Sequence, residues 1–223
     1  MKRKLTALIT GGTGGIGSAI VRKFVENDIN VISPRSLEMN LLEKESIKKY
    51  IDCIDEDVDI LINCAGINPL AGIEEITDED IYSTLEVNLI SNIRLMQLLI
   101  PKMVKNGFGR IVNFSSIWST VSKERRIIYS ATKAAINAVT RTISIETAKY
   151  NVLINSVAPG YVDTPLTRKN NSIEEIKKIK EKIPIGRIAT TSEIAELVLF
   201  LASEKNSYIT GQTIFIDGGY TCL

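Results

Sequence analysis

Tyr129 and Lys133 are spaced for acid–base chemistry. The stretch 129–133, Tyr-Ser-Ala-Thr-Lys, places the phenol and the ammonium one helical turn apart, on the same face of a predicted helix. A free phenol with a pKa near ~10 is a poor base at neutral pH. We expect the neighbouring ammonium to lower the pKa of Tyr129, which would make the pair a usable proton donor and acceptor. Taken alone, this spacing is also common on solvated helices.

A glycine-rich stretch near the start of the chain has the pattern of a phosphate-binding loop. Residues 10–17, Thr-Gly-Gly-Thr-Gly-Gly-Ile-Gly, follow an apolar run and open a helical pattern. Glycine permits positive φ and close approach of the backbone to a phosphate, which free N–H groups at the helix N-terminus would bind. A tight structural turn is the alternative, but the strand–loop–helix context favours a nucleotide. The expected cofactor contacts here are Gly11, Thr13, Gly15, Ile16 and Gly17.

The composition argues against several other classes of function. The 223 residues include 27 Lys+Arg, 26 Asp+Glu and no histidine, which gives a net charge of +1. We therefore expect no nucleic-acid partner, no histidine-based catalysis and no zinc site. The three cysteines form no paired framework, and no apolar stretch reaches the length of a membrane span. These observations predict a cytoplasmic, reduced location without a membrane partner.

Apolar runs of strand length alternate with longer segments of helical period. The strand predictions are 5–10, 30–33, 59–63, 109–115, 153–158 and 213–216, with a less regular one at 38–41. The main helix predictions are 16–27, 78–106, 129–150 and 193–203, and we expect Pro101 to kink or interrupt the second of these. This alternation predicts a single α/β domain over residues 1–223, a doubly wound, Rossmann-like parallel sheet with helices on both faces.

With these motifs in order, the sequence resembles the short-chain dehydrogenase/reductase family. The glycine string fits the family's Thr-Gly-x-x-x-Gly-x-Gly pattern, and Ser116 precedes Tyr129 at a spacing similar to the family's. The resemblance implies hydride transfer between a nicotinamide cofactor and a small carbonyl or alcohol substrate. Tyr129 would exchange the proton and Ser116 would hydrogen-bond the substrate oxygen. Asn88 would hold a water linked to Lys133. Many relatives are tetramers, so we expect a homo-oligomer.

Three further stretches, at 59–66, 155–164 and 183–219, extend the resemblance over essentially the whole chain. In the first, Asp-Ile-Leu-Ile-Asn-Cys-Ala-Gly, a cysteine replaces the second Asn of the family's Asn-Asn-Ala-Gly. There Asn63 would also brace the central sheet. The second stretch resembles the loop that binds the nicotinamide carboxamide. The cofactor contacts implied by these motifs are Asn63, Ala65, Gly66, Pro159, Gly160, Val162 and Thr164, together with Tyr129 and Lys133.

The sequence departs from the family after the second predicted strand, where the adenosine of the cofactor would be framed. The family usually has a whole helix there, but residues 34–40 leave room only for a loop and a short strand. NAD enzymes usually place an acid about 20 residues beyond the glycine loop. This chain has Arg35, whose guanidinium suits a 2′-phosphate, so we expect NADP, with NAD as the alternative. An exposed loop arginine and a ribose contact by Glu38 stay open, and Asn40 stands where an Asp near the adenine is common.

Two substrate classes and one non-enzymatic function stay open. The overall similarity points to the 3-oxoacyl-carrier-protein reductases, with an acyl-carrier protein as partner, whereas the shortened loop allows a ketoreductase of sugar or polysaccharide precursors. Arg125, Arg126, Arg168 and Lys169 could form a basic patch for an acyl carrier, or could be ordinary solvated charges. A non-catalytic nucleotide-binding regulator should have lost a member of the Asn–Ser–Tyr–Lys set. This chain keeps all four.

Overall fold

The computed structural model describes residues 3–223 and contains a six-stranded sheet in which every pairing is parallel. The strands are β1 (Thr6–Thr10), β2 (Asn30–Ile32), β3 (Ile60–Asn63), β4 (Gly109–Phe114), β5 (Val152–Pro159) and β6 (Thr213–Ile216). Their order across the sheet is β2-β1-β3-β4-β5-β6. The predicted fold class is confirmed, and the six main strand predictions agree with the structure to within one residue at each end.

Helices cover both faces of the sheet. They are α1 (Gly15–Glu26), α2 (Lys44–Asp52), α3 (Asp78–Leu85), α4 (Ser91–Asn106), α5 (Ile127–Thr147), α6 (Pro165–Asn170), α7 (Ile173–Glu181) and α8 (Thr191–Ala202). Side chains of α1 and α8 form one core with Ile9 of β1, and side chains of α2, α4 and α5 form a second core with Leu8. Successive strand residues therefore supply opposite faces, as the pleat requires. Within residues 3–223 no helix is both long and apolar enough to cross a membrane.

The strand order creates a crevice beside the glycine-rich loop. β1 pairs with β2 on one side and with β3 on the other, so the chain passes β1 on its way from β2 to β3. The connections that follow β1 and β3 consequently leave the sheet in opposite directions at its carboxyl edge. Ligands of open α/β sheets bind at such a point, and the predicted site residues lie there.

Residues 38–41 do not form the predicted short strand. Their segment closes backbone turns in which the amides of Glu38 and Met39 donate to the carbonyl of Arg35, and the amide of Glu43 donates to Asn40. These groups are used locally, so they are not available to a neighbouring strand. The sheet therefore ends at β2.

The long helix prediction over 78–106 was wrong about where the irregularity lies. Pro101 lies inside α4 and is exposed, and the helix continues past it because Leu99 and Met103 on either side pack into the core. The interruption instead occurs at Glu86–Ile90, where the chain makes a π-helical turn between α3 and α4. Such turns are frequent at functional sites, and this one contains Asn88.

Candidate active site

A cleft of about 770 Å³ runs along the carboxyl ends of the strands. Five chain segments and the first turns of α5 line it. The segments are 10–17, 34–42, 64–68, 114–116 and 159–167, and α5 contributes Tyr129 and Lys133. A volume of this size is typical of sites for small molecules and cofactors. All predicted cofactor contacts line the cleft except Asn63, and all predicted catalytic residues line it except Asn88.

The glycine loop leaves the N-terminus of α1 open to an anion. Helix α1 begins after Gly14 without a side-chain cap and without an acidic residue in its first turn. Its first N–H groups and the positive end of its dipole are thus available to a phosphate. A Cβ on Gly17 would lie 2.1 Å from the carbonyl oxygen of Gly11, which itself has φ +70°. The loop therefore needs glycine at both positions, and its shape fits the pyrophosphate of a dinucleotide.

The loops on the two sides of the cleft approach each other closely. A Cβ on Gly15 would lie 2.9 Å from Cγ2 of Thr164, in the loop after β5. A Cβ on Gly11 would lie 2.8 Å from Cα of Ala65, in the loop after β3. Ala65 is also held by the hydroxyl of Thr10, which accepts its backbone N–H at 3.2 Å. The motifs that the sequence places far apart are thus brought together around one narrow space.

Ser116, Tyr129 and Lys133 meet at one end of the cleft. Ser116 follows β4 and is buried, and both it and Tyr129 line the cleft, where Ser116 acts to lower the pKa of the Tyr129 phenol. Lys133 is 4% exposed, and its ammonium lies 5.5 Å from the centroid of the Tyr129 ring. That ammonium donates to the carbonyl oxygen of Phe114 at 2.6 Å. A hydroxyl, a phenol and an ammonium therefore converge where a carbonyl oxygen could be bound.

Burial is the main influence on the pKa values of Tyr129 and Lys133. It raises the pKa of Tyr129 above its ordinary value, although the hydrogen bond from Ser116 and the positive charge of Arg126 act in the opposite direction. Burial also lowers the pKa of Lys133 to about 8. The expected lowering of the Tyr129 pKa by Lys133 was therefore wrong for this structure, because desolvation of the phenol outweighs the neighbouring charges. At neutral pH Tyr129 holds its proton and can donate it.

Asn88 joins the loop after β3 to α5. Its side chain is fully buried, accepts the N–H of Ile67 at 2.8 Å and donates to the carbonyl of the same residue at 2.8 Å. It also donates to Thr132, the neighbour of Lys133, at 3.3 Å. The π-helical turn points this amide away from α4, toward the wall of the cleft. The only signal in the sequence was a polar residue beside an apolar stripe.

Asn63 and Ser115 connect elements behind the cleft. Asn63 is fully buried and donates to Oδ1 of Asn113 at 2.8 Å, which links β3 to β4. It does not line the cleft, so its place among the cofactor contacts stays a prediction, whereas its hydrogen bond to Asn113 agrees with the expected bracing of the sheet. Ser115 lines the cleft and donates to the carbonyl of Lys133 at 3.0 Å. Sequence reasoning missed the Phe114 carbonyl, because a backbone acceptor leaves no signature in residue types.

Arg35 and Asn40 lie at the other end of the cleft. The Arg35 side chain is 71% exposed and pairs with Glu38 at 3.5 Å, and its backbone N–H donates to the same carboxylate at 2.7 Å. These contacts hold the pKa of Glu38 below its ordinary value. Arg35 lines the cleft but Glu38 does not, which disfavours Glu38 as the ribose ligand. The Asn40 side chain is already bonded to Glu43 and to the N–H of Leu42.

Two of the four residues considered for a basic patch are already paired. Arg125 forms an ion pair with Glu75 at 2.7 Å, and Arg168 makes two hydrogen bonds to Asp163 at 2.8 and 2.9 Å. Arg126 is buried. The arginines therefore do not present a free cationic surface at the mouth of the cleft.

Comparison with known proteins agrees with this geometry. Residues 32–221 match a family model described as enoyl-(acyl carrier protein) reductase, which covers well over half of the chain. The chain belongs to the short-chain dehydrogenase/reductase family. The expected enzyme class, an NAD(P)-dependent oxidoreductase acting on a carbonyl/alcohol pair, is confirmed.

Individual members of the family that resemble this chain differ in what they act on. A 3-oxoacyl-[acyl-carrier-protein] reductase of Aquifex aeolicus is 38% identical, with 96% of each chain covered. An NAD-dependent glycerol dehydrogenase of Listeria innocua is 32% identical, over 96% of this chain and 93% of its own. The crystal structure of a gluconate 5-dehydrogenase from Burkholderia cenocepacia, in complex with NADP and tartrate, superposes with a TM-score of 0.92 at 28% identity. That match covers 98% of this chain and 96% of the other.

Proposed function

We propose that the protein is an NADPH-dependent reductase of a small carbonyl compound, with Ser116, Tyr129 and Lys133 as its catalytic residues. The observation that carries this proposal is the meeting of Ser116, Tyr129 and the buried Lys133 at one end of the cleft, opposite Arg35. The gluconate 5-dehydrogenase structure with NADP supports the choice of cofactor. Arg35 supports it independently, because its guanidinium suits a 2′-phosphate.

Different residues of the cleft would bind the cofactor and donate the proton. NADPH, when bound, supplies the hydride, while the protein supplies position and electrostatics. The amides of the glycine loop would hold the pyrophosphate, with Thr13 and Ile16 beside it, and Val162 and Thr164 would hold the carboxamide. Ser116 and Tyr129 would both donate hydrogen bonds to the substrate oxygen, and Tyr129 would give up its proton as charge develops there.

Lys133 and Asn88 would assist this proton transfer without touching the substrate. The Lys133 ammonium would stabilise the phenolate that remains after Tyr129 donates its proton. Its low pKa of about 8 makes it a ready proton source for returning Tyr129 to the phenol form. Asn88 would position the loop that carries Ala65 and Gly66, and its role in a water relay to Lys133 stays part of the proposal.

A small-molecule substrate has more support than an acyl-carrier protein. The relative from Aquifex aeolicus supports 3-oxoacyl thioesters, while the gluconate 5-dehydrogenase supports a sugar-derived carbonyl. The pairing of Arg125 with Glu75 and of Arg168 with Asp163 leaves little positive charge for an acidic carrier. We therefore favour the sugar-like or other small carbonyl, with the acyl thioester as the second candidate.

Self-association through α4 and α5 is also part of the proposal. The outward faces carry exposed apolar side chains, among them Ile93 on α4 and Ile145 on α5, which are 38% and 82% exposed. Light scattering coupled to gel filtration tests this directly. A mass near 24.6 kDa would contradict self-association, and Ile145→Asp should lower the mass of an oligomer.

Cofactor titration tests the proposed function. NADPH and NADH are titrated into wild type, Arg35→Ala and Arg22→Ala, with cofactor fluorescence as the signal. Arg22 is an exposed arginine of α1 outside the cleft and serves as the matched control. We expect wild type and Arg22→Ala to prefer NADPH and Arg35→Ala to lose at least about tenfold in NADPH affinity, with NADH unchanged. Equal binding of both cofactors by all three proteins would contradict the role of Arg35. Binding of neither cofactor would contradict the proposed function.

A further inference from the structure

An arginine close to the catalytic tyrosine has a buried charge without a counter-charge. Arg126 is 8% exposed, and its Nε is buried with no hydrogen-bond partner. Among residues 3–223 its guanidinium forms no ion pair, in contrast to the adjacent Arg125, which pairs with Glu75. Burying an unpaired cation is costly, and the cost is relieved when an anion binds to it.

The backbone turns this side chain inward. Arg125 has φ +61°, in the left-handed region, and its side chain reaches outward to Glu75 and to the carbonyl of Leu70. The next residue, Arg126, pairs with Ala71 in a parallel bridge and stands at the N-cap of α5. Residues other than glycine rarely adopt positive φ. At Arg125 this conformation lets the side chains of the two adjacent arginines point in opposite directions.

An aromatic cluster surrounds the guanidinium. The guanidinium carbon, Cζ of Arg126, lies 5.4 Å from the Trp118 ring centroid. Trp118 packs edge-on against Tyr161 and Tyr220, with ring centroids 6.0 and 6.3 Å apart. The backbone N–H of Trp118 donates to the hydroxyl of Ser116 at 3.3 Å. The cluster therefore begins two residues after Ser116. Aromatic faces attract a cation but do not neutralise it.

Arg126 precedes Tyr129 by three residues at the start of α5. As the N-cap residue, with φ −129° and ψ 30°, it lies just before the first helical turn, and its guanidinium lies over the Trp118 ring. Burial raises the pKa of both Tyr129 and Tyr161, and the Arg126 charge opposes that rise at each phenol. The cation is thus close enough to act on the proton donor. Arg126 does not itself line the cleft, but its neighbour Trp118 is bonded to Ser116 at the substrate end of the cleft, so the guanidinium lies directly behind that end.

We propose that Arg126 binds a carboxylate of the substrate, so that this enzyme reduces oxo acids whose carboxylate lies a few bonds from the reacting carbonyl. This inference rests on the proposed function and specifies its substrate class. A guanidinium matches a carboxylate in a planar, two-bond geometry. The carboxylate is bound but not changed: the carbonyl carbon gains the hydride of NADPH and its oxygen gains the Tyr129 proton. An acyl thioester on a carrier has no anion at this distance.

Paired substrates test the inference by activity. Straight-chain 2-, 3-, 4- and 5-oxo acids are compared with their methyl esters, using NADPH and wild type, Arg126→Gln, Arg126→Lys and Arg125→Gln. We expect wild type and Arg125→Gln to prefer at least one acid over its ester by about tenfold or more in kcat/KM. Arg126→Gln should lose about 30-fold on that acid, mainly through KM, and stay within about threefold on the ester. Arg126→Lys should recover part of the loss.

Trp118 provides a second readout that needs no turnover. It is the only tryptophan of the chain, so its emission reports the surroundings of Arg126. We expect the oxo acids and non-reducible dicarboxylates such as malonate and succinate to change this emission in wild type and Arg125→Gln but not in Arg126→Gln. The methyl esters should leave it unchanged.

The two readouts separate this inference from the proposed function. Equal kcat/KM for acid and ester in wild type, or equal losses on both in Arg126→Gln, would overturn the role of Arg126 while reduction itself stands. An Arg126-dependent response of Trp118 without reduction of any carbonyl would support the carboxylate site and contradict the proposed reaction. No emission change with any carboxylate would overturn the site.

Discussion

The Lys133 ammonium donates a 2.6 Å hydrogen bond to the carbonyl oxygen of Phe114, which ties α5 to the last residue of β4. In the other direction, the Ser115 hydroxyl donates a hydrogen bond to the backbone carbonyl of Lys133 at 3.0 Å. The helix that carries Tyr129 and the strand that leads to Ser116 are therefore fixed to each other by two buried contacts. Catalytic donors held in this way need little reorganisation when charge develops on the substrate oxygen.

Replacing Tyr129 by Phe should abolish most turnover and leave cofactor binding intact. The variant removes the only proton donor proposed to reach the substrate oxygen, and general acid catalysis typically contributes about 10²–10⁴-fold. We expect kcat for carbonyl reduction to fall by about that factor while the Kd for NADPH changes less than about threefold. Tyr208→Phe is the control, because Tyr208 is 96% exposed. Retained turnover in Tyr129→Phe would contradict the catalytic assignment.

The stability of the protein should depend on pH through Lys133. Its pKa is about 8 in the folded protein and 10.5 ordinarily, so the unfolded chain binds more protons between those values. The contribution of Lys133 to the free energy of unfolding therefore becomes more favourable as pH rises from about 8 to 10.5, by about 3 kcal/mol over the window. Urea denaturation of wild type and Lys133→Met at pH 7, 8, 9 and 10 measures this.

The sign of the difference between the two proteins decides the outcome. Relative to Lys133→Met, wild type should gain stability as pH rises above 8, because burial of the charged ammonium is no longer required. Lys102→Met, at a half-exposed lysine paired with Asp57, should show no gain in this window. A difference between wild type and Lys133→Met that is independent of pH would contradict the lowered pKa.

Residue types and spacing predicted the elements that carry local signals. The six strands are short apolar runs, and the Tyr129–Lys133 pair and the glycine loop have fixed spacings along the chain. The π-helical turn at Glu86–Ile90 was missed because its cause is tertiary: Asn88 bonds to the backbone of Ile67, 21 residues away. The rise in the pKa of Tyr129 was missed for a similar reason, since burial depends on elements that are distant in sequence.

Asn88→Ala should destabilise the protein and loosen the cofactor site. The change removes two part-buried hydrogen bonds to the N–H and carbonyl of Ile67 and a buried one to Thr132, each worth about 0.5–1.5 kcal/mol. We expect a loss of about 2–4 kcal/mol in the free energy of unfolding by urea, together with weaker NADPH binding. Asn27→Ala removes a single exposed bond to the Lys23 carbonyl and should cost less than about 0.5 kcal/mol. Similar losses in the two variants would rule out this role for Asn88.

Gly17→Ala and Gly14→Ala should differ sharply. A Cβ at Gly17 would lie 2.1 Å from the Gly11 carbonyl oxygen, whereas at Gly14 the nearest atom is at 3.3 Å and φ is −75°. Gly17→Ala should therefore displace the loop, lower NADPH affinity by more than about tenfold and reduce stability by about 1–3 kcal/mol. Gly14→Ala should unfold at nearly the wild-type urea concentration. Calorimetric titration and denaturation, applied to both variants, compare them directly, and equal behaviour would argue against the close packing of this turn.

The sheet order also determines how slowly the chain must fold. Thr10 of β1 contacts Ile62 of β3 across 52 residues, and Asn63 contacts Asn113 of β4 across 50. With every pairing parallel, no two neighbouring strands can form as a local hairpin, so each step of sheet growth must first close a long loop. Chains dominated by such distant contacts fold slowly and expose unpaired strand edges meanwhile. We expect refolding to take milliseconds to seconds or longer. During refolding the protein should aggregate at concentrations at which the folded protein stays in solution.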